Sequence, residues 1–192
     1  MSPNLTLFSV NAVLLLTNTG TRLLAKYYHP PHSPASSAPP YPTPASQAAF
    51  EKGLTEKTAT AGNDIILYDG RVVVFKTEGD VVLYVVGGAD ENELLLWNAL
   101  LALRDTLSIL LRNTVDKRTI LEHFDVVSLA VDEVVDDGVI LETDPATIAA
   151  RVTKQPMEDA PSVKNIDLSE QGLLNAWEFG KRQLADRLRQ GL

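Results

Sequence analysis

DENELLLWNALLALRDTLSILLR, residues 90–112, is the stretch whose reading decides the fold. Past its first turn, Arg104 and Asp105 are its only charged residues before Arg112, and most of the rest is apolar. Leu96, Leu100, Leu103, Leu107 and Leu110 recur at helical spacing and make one face. Leu95, Ala99, Ala102 and Ile109 make an adjacent face, and Leu94, Trp97 and Leu101 widen the girth further. A helix packed only on its own domain needs a single apolar stripe. This one needs two surfaces to bury against. Asp90 reads as its N-cap, with Glu93 three residues on as the partner of a capping box. Arg112 suits the negative end of the helix dipole.

The segments before this helix supply one of the two surfaces. Leu7 to Leu16 and Arg22 to Tyr28 read as strands of a hairpin, joined by the turn cluster Thr17-Asn18-Thr19-Gly20. A meander of three strands follows: Asp64 to Tyr68, Arg71 to Lys76 and Val81 to Val86. Asp69-Gly70 is the two-residue hairpin signal between the first pair. VLLL at 13–16 and VVLYVV at 81–86 are apolar on both faces, and such strands are covered on both faces. The expected fold class is therefore α/β (α+β): a five-stranded, mainly antiparallel sheet sandwiched between helices.

Residues 29–45, HPPHSPASSAPPYPTPA, hold seven of the chain's 11 prolines, and neither helix nor sheet propagates through them. They read as an inserted surface loop, with PxxP recognition the less favoured reading. Ser46 to Thr58 regains helical character, with Ser46 as N-cap and Ala49, Phe50 and Leu54 as a short apolar stripe weakened by Gly53. After the central helix, a turn of helix starts at Thr114 or Asp116. Asp125 is expected to cap the next helix, with Val126, Leu129, Ala130 and Val134 facing inward and Gly138 as its C′ glycine. Asp144-Pro145 starts another short helix. Residues 153–168 read as a linker, and 169–192 as a last helix carrying Leu173, Trp177, Leu184 and Leu188.

Composition narrows the function classes. The chain has 192 residues and no cysteine, so it has no disulfide framework, thiolate metal site or cysteine nucleophile. A net charge of −8 makes it a poor candidate to bind nucleic acid or an anionic membrane unaided. No apolar run reaches the roughly 18 residues that span a bilayer. His29, His32 and His123 form no catalytic constellation with the serines, which lack a G-x-S-x-G setting. Gly87-Gly88 follows a strand and precedes a helix but lacks the lysine and the further glycines of phosphate-binding loops. No catalytic, cofactor or metal residue is assigned. The carboxylates Asp132, Glu133, Asp136 and Asp137 read as a solvated helix face whose like-charge i,i+4 pairs are mildly unfavourable. The sharper reading is that Asp136 and Asp137 meet a basic partner surface.

The order of strand, strand, helix, three strands and then helices is that of a longin-like domain. RLLAKYY (22–28), AFEKGLTEKT (49–58), residues 91–112 and DKRTILEHFDVVSLAVDEVVDDGVILETDP (116–145) resemble the small subunits of vesicle-coat adaptor complexes. They are most similar to the zeta type found in the coatomer, coat protein complex I. The resemblance covers residues 7 to 152, which sets the expected domain at 1–152. It implies a non-enzymatic coat subunit that nests in the solenoid of a gamma-type large subunit, beside beta and delta subunits. It also implies indirect recruitment to Golgi membrane by an Arf-type GTPase, peripheral on the cytosolic face, for Golgi-to-ER and intra-Golgi transport. The alternatives are a sigma-type clathrin-adaptor small chain or another longin-type trafficking module. Sigma chains assist dileucine recognition with a base directly after the turn asparagine. Here Thr19 follows Asn18 and the nearest base is Arg22, so that role is not assigned. On this reading the partner-facing residues are Leu95, Trp97, Ala99, Leu101, Ile109, Asp136 and Asp137. Each leucine fully buried on a partner contributes about 1.5–3 kcal/mol.

Overall fold

The computed structural model describes residues 7–29 and 41–153. The central part of the proline-rich stretch, the linker expected at 153–168 beyond Thr153, and the helix expected at 169–192 lie outside the described residues.

The expected sheet is present. Its strands are β1 (Val10–Thr17), β2 (Arg22–Tyr27), β3 (Ile65–Tyr68), β4 (Arg71–Glu78) and β5 (Val81–Gly87). They run antiparallel in the order β2-β1-β5-β4-β3, so the two strands apolar on both faces, β1 and β5, lie side by side inside the sheet. Alternation along them sorts side chains into two cores. Val13, Leu15, Val74, Leu83 and Val85 face one way, against Leu96, Leu100, Leu103 and Leu107 of α2 (Glu93–Leu110). Leu14, Leu16, Val73, Phe75, Tyr84 and Val86 face the other way, against Phe50 and Leu54 of α1 (Pro44–Thr58). An extra residue, Asn11, sits in β1 where its pairing to β5 slips between Val10 and Ala12. Such a bulge reverses the alternation, which is why Val10 belongs to the α2 core although Ala12 and Leu14 belong to the α1 core.

Gly87 explains how closely α2 approaches. A Cβ there would come within 2.5 Å of a Leu96 methyl. The glycine before α2 is thus a packing requirement of the helix on its sheet.

The second surface of α2 is supplied largely by the chain itself. α4 (Phe124–Val134) and α5 (Pro145–Thr153) pack on α2 and on each other. α3 (Lys117–Glu122) precedes them and buries Ile120.

Several local readings are corrected. Asn92, not Asp90, caps α2: its Oδ1 accepts from the amides of Leu94 at 2.9 Å and Leu95 at 3.4 Å. Asp90 lies in the preceding turn, where the Glu91 amide donates to the Gly88 carbonyl. At the other end Arg112 and Asn113 leave the helix with φ of 54° and 63°, so Arg112 is outside the last turn. Thr43 rather than Ser46 caps α1. Ser46 is the third residue of the capping box, and Pro44 occupies the first turn, where its missing amide costs nothing. The expected loop therefore ends two residues before Ala45. Tyr41 is buried beside Phe50 with centroids 4.3 Å apart, and its hydroxyl donates to Asp69 Oδ2 at 2.6 Å. Ala49 is exposed.

α4 is rotated from its expected phase. Its inner face is Val127, Ala130, Val131 and Val134, while Leu129 points out with 52% of its surface accessible. The segment VVSLAV is apolar almost all round, so periodicity did not fix the rotation. Packing against α2, α5 and the segment that follows decides it. The helix also stops at Val134. Residues 135–140 form a second hairpin, β6 (Val135–Asp136) and β7 (Val139–Ile140), about Asp137-Gly138 with φ of 45° and 82°. These are the paired positive φ values of a tight hairpin turn, the same signal as Asp69-Gly70 at 50° and 67°. The Gly138 carbonyl accepts from the amides of Ser9 and Val10 at 3.0 and 2.9 Å.

Two predictions follow from these turns and caps. Gly138→Ala forces a Cβ to 2.2 Å from the Phe8 ring and 2.6 Å from the Val10 carbonyl, at positive φ. In urea titrations it is expected to lose about 2–4 kcal/mol. Gly70→Ala, with open space around it, should lose only about 1 kcal/mol. Asp116 and Asp144 cap α3 and α5, and their carboxyls are held below the usual range. For Asp116 the main cause is the Thr119 amide it accepts, and for Asp144 the Thr147 hydroxyl and amide. Their contribution is present above the ordinary carboxylate pKa of about 4 and is lost as pH falls through the lower folded values. Asn at both positions should flatten that part of an acid-unfolding curve.

Candidate partner interface

The seven residues expected to face a partner do not form one surface. Leu95 is 37% exposed near the start of α2 and Ile109 is 52% exposed near its end. At 1.5 Å per residue they stand about 21 Å apart along the axis. Between them Ala99 and Ala102 are buried, within the apolar core that α2, α4 and α5 share. Ala99 is therefore a core residue, a correction to its expected role: two small side chains let neighbouring helices close over the middle of α2. Trp97 and Leu101 are half-buried. Trp97 packs against the α2-side core, with the Lys76 ammonium 5.8 Å from its ring. Leu94, at 69% the most exposed apolar side chain of α2, shares the stripe of Trp97 and Leu101.

Asp136 and Asp137 stand exposed on the β6–β7 hairpin, not on a helix, so the like-charge helix argument does not apply to them. The other two carboxylates are engaged. Asp132 receives Lys26 at 2.5 Å and Glu133 meets Arg151 at 3.5 Å. Neither Asp136 nor Asp137 has an ion pair among the described residues. Tyr28 registers the cluster: burial first, and then the charges of Asp132, Asp136 and Asp137, push its hydroxyl pKa far up.

Arg22 is committed inside the fold. Its guanidinium meets the buried Glu51 carboxylate at 2.7 and 2.9 Å, and Glu51 also accepts from the Tyr27 hydroxyl at 2.8 Å. The nearest base to the first turn thus ties β2 to α1.

Sequence reasoning missed other exposed apolar side chains. Leu121, Phe124 and Leu129 lie on α3 and α4, and Ile65 and Leu67 on the edge strand β3. Leu129 was missed because of the phase error. Ile65 and Leu67 had a signal in the alternation of Ile65-Ile66-Leu67-Tyr68, on the strand at the end of the strand order.

With this geometry in view, comparison with known proteins is specific. The family model described as clathrin adaptor complex small chain matches residues 9–159. Coatomer subunit zeta of Saccharomyces cerevisiae is 40% identical over 98% of this chain and 99% of its own length. The chain belongs to the coatomer zeta family of adaptor small chains. Coatomer subunit zeta-1 of Homo sapiens is 41% identical over 93% of this chain and 92% of its own. Among solved assemblies, a chain of a homology model of the full-length AP-3 complex in a stretched open conformation superposes with a TM-score of 0.55. That match is at 15% identity and covers 74% of this chain and 90% of that one, and it supports the longin-like small-subunit fold. Membership of this family makes the chain a vesicle-coat subunit.

The corrected face of α4 can be tested. Leu129→Gln should change stability by no more than about 0.5 kcal/mol. Val131→Gln places an amide in the core and should cost about 2–4 kcal/mol by chemical denaturation. Equal costs would contradict the observed rotation.

Proposed function

We propose that this chain is the non-enzymatic zeta-type small subunit of a coatomer coat and nests in the solenoid of a gamma-type large subunit. Beta and delta subunits join it in the same subcomplex. Attachment to the cytosolic face of Golgi membrane comes indirectly, through an Arf-type GTPase, and the coat serves Golgi-to-ER and intra-Golgi transport. The observation that carries this reading is the similarity to coatomer zeta subunits, which runs almost the full length of both chains rather than over the common core alone. The exposed apolar side chains at the ends of α2 support it: Leu94, Leu95 and Ile109 are left over once α4 and α5 have covered the middle. The acidic charge agrees, since attraction to an anionic membrane then comes from partners.

Co-expression with a gamma-type chain tests the reading. The pair should co-purify, and Leu95→Asp with Ile109→Asp should weaken capture by about tenfold or more while thermal unfolding of the small chain changes little. Reversal of Asp136 and Asp137 to lysine should weaken it further if that hairpin meets a basic surface. A stable, monodisperse small chain that captures no gamma-type chain would sink the proposal.

A further inference from the structure

Away from α2, a small pocket opens between the C-terminal end of α1 and the opposite face of the sheet. Its volume is about 210 Å³. Phe75, Val82, Tyr84 and Thr58 form its buried floor, Thr55 is part of its wall, and Asn18, Ala59 and Thr77 ring its mouth. Phe75 and Tyr84 are stacked with centroids 5.8 Å apart.

The protons of this lining are mostly committed. Thr55 donates to the Glu51 carbonyl at 2.9 Å, and Thr58 to the Leu54 carbonyl at 3.0 Å. With the Thr58 proton on the helix backbone, Tyr84 is the donor in the 2.9 Å bond that joins the two hydroxyls. Asn18 spends an amide proton on the Gly79 carbonyl at 3.2 Å. Inside, the pocket therefore presents lone pairs on hydroxyl oxygens. At its mouth, the exposed Thr77 hydroxyl has no hydrogen bond among the described residues and can donate outward. Among the described residues, no carboxylate, lysine or arginine lines the space, and burial raises the Tyr84 pKa, which keeps that hydroxyl neutral.

A group that fits must donate to the inner hydroxyl oxygens, accept from Thr77 at the mouth, carry no charge, and have an apolar stem to lie on Phe75 and Val82. A buried ammonium or guanidinium would find no counter-charge and would be costly. A carboxylate has no proton to give. A primary carboxamide meets all four conditions. The pocket is smaller than the roughly 300–1,000 Å³ of sites that enclose small molecules, so it fits a side chain offered from outside.

We propose that this pocket is a receptor for a glutamine or asparagine side chain of a protein partner. Only the source of that side chain rests on the coat-subunit reading, and the test below uses no partner, so the two stand or fall separately.

The full-length chain, with its threonine and valine methyl groups labelled, is titrated by NMR with N-acetyl-glutamine N-methylamide and with the matching glutamate and norleucine compounds. Saturable shifts are expected at Thr58, Thr77 and Val82, with glutamine bound about fivefold more tightly than either analogue, the effect of about one hydrogen bond. Thr77→Val, at an exposed position, should weaken glutamine by a similar factor without altering thermal unfolding. Thr58→Val removes the nearer acceptor of the Tyr84 proton and leaves it Thr55 or the pocket, so the preference for glutamine over glutamate should narrow. Norleucine or glutamate binding as tightly as glutamine, or shifts that do not saturate, would overturn the assignment. Propionamide binding as tightly as blocked glutamine would assign the pocket to a free small amide instead.

Discussion

On β5, seven successive residues from Val81 to Gly87 are buried, and the rest of the molecule is arranged to keep them so. A strand with no solvent side needs neighbours on both edges and a layer over each face. β1 and β4 take the edges, α1 covers one face and α2 the other. Gly87 then brings α2 close enough for Leu96 to lie on the strand. Because α2 is itself apolar well beyond the stripe that touches β5, the demand for cover passes outward to α4 and α5. The layers are a chain of such obligations, and the last of them ends at side chains such as Leu94 and Ile109 that the domain does not cover.

The two faces of the sheet are held by different chemistry. The α2 side is an aliphatic core in which hydrocarbon meets hydrocarbon. The α1 side is aromatic and polar at its margins. Tyr41, Phe50 and Tyr68 pack in sequence, and Glu51 is buried with Arg22 and Tyr27 as partners. Gly53 admits the Tyr68 hydroxyl, where a Cβ would stand 2.1 Å away. α1 is thus positioned by directional bonds and one close approach, whereas α2 is positioned by area. A buried carboxylate that has lost one partner is strongly unfavourable, so the Arg22–Glu51 pair fixes where α1 sits more than it adds to net stability.

The five strands of the main sheet, their order of appearance and both buried faces were legible in the sequence because short β-branched apolar runs bracketed by turns read as strands, and those apolar on both sides demand cover on both. The sheet-facing line Leu96, Leu100, Leu103, Leu107 was legible from its helical spacing. What failed did so where the local pattern carried too little information. In VVSLAV every rotation buries something apolar, so the inner face of α4 is decided by its neighbours. Asp137-Gly138 carried the hairpin signal already used at Asp69-Gly70, but the preceding helical run led to its being read as a helix end. The N-caps of α1 and α2 were misplaced by two or three residues because several cap-forming residues stand together at each start, and only the backbone selects among them. The partner-facing set was the least legible part. Exposure on a helix that is apolar all round depends on what else in the chain arrives to cover it, and periodicity does not report that.

The hydrogen bonds from Ser9 and Val10 to the Gly138 carbonyl join the beginning of the sheet to a hairpin that lies after every one of its strands. During synthesis, β1 can meet β2 early, but its inner partner β5 comes much later, and its N-terminal end is closed only by residue 138. Until then β1 presents an unpaired apolar edge to the cell. For a subunit this small, the period of greatest vulnerability therefore falls on the ribosome, before the domain is whole and before any partner could shelter it.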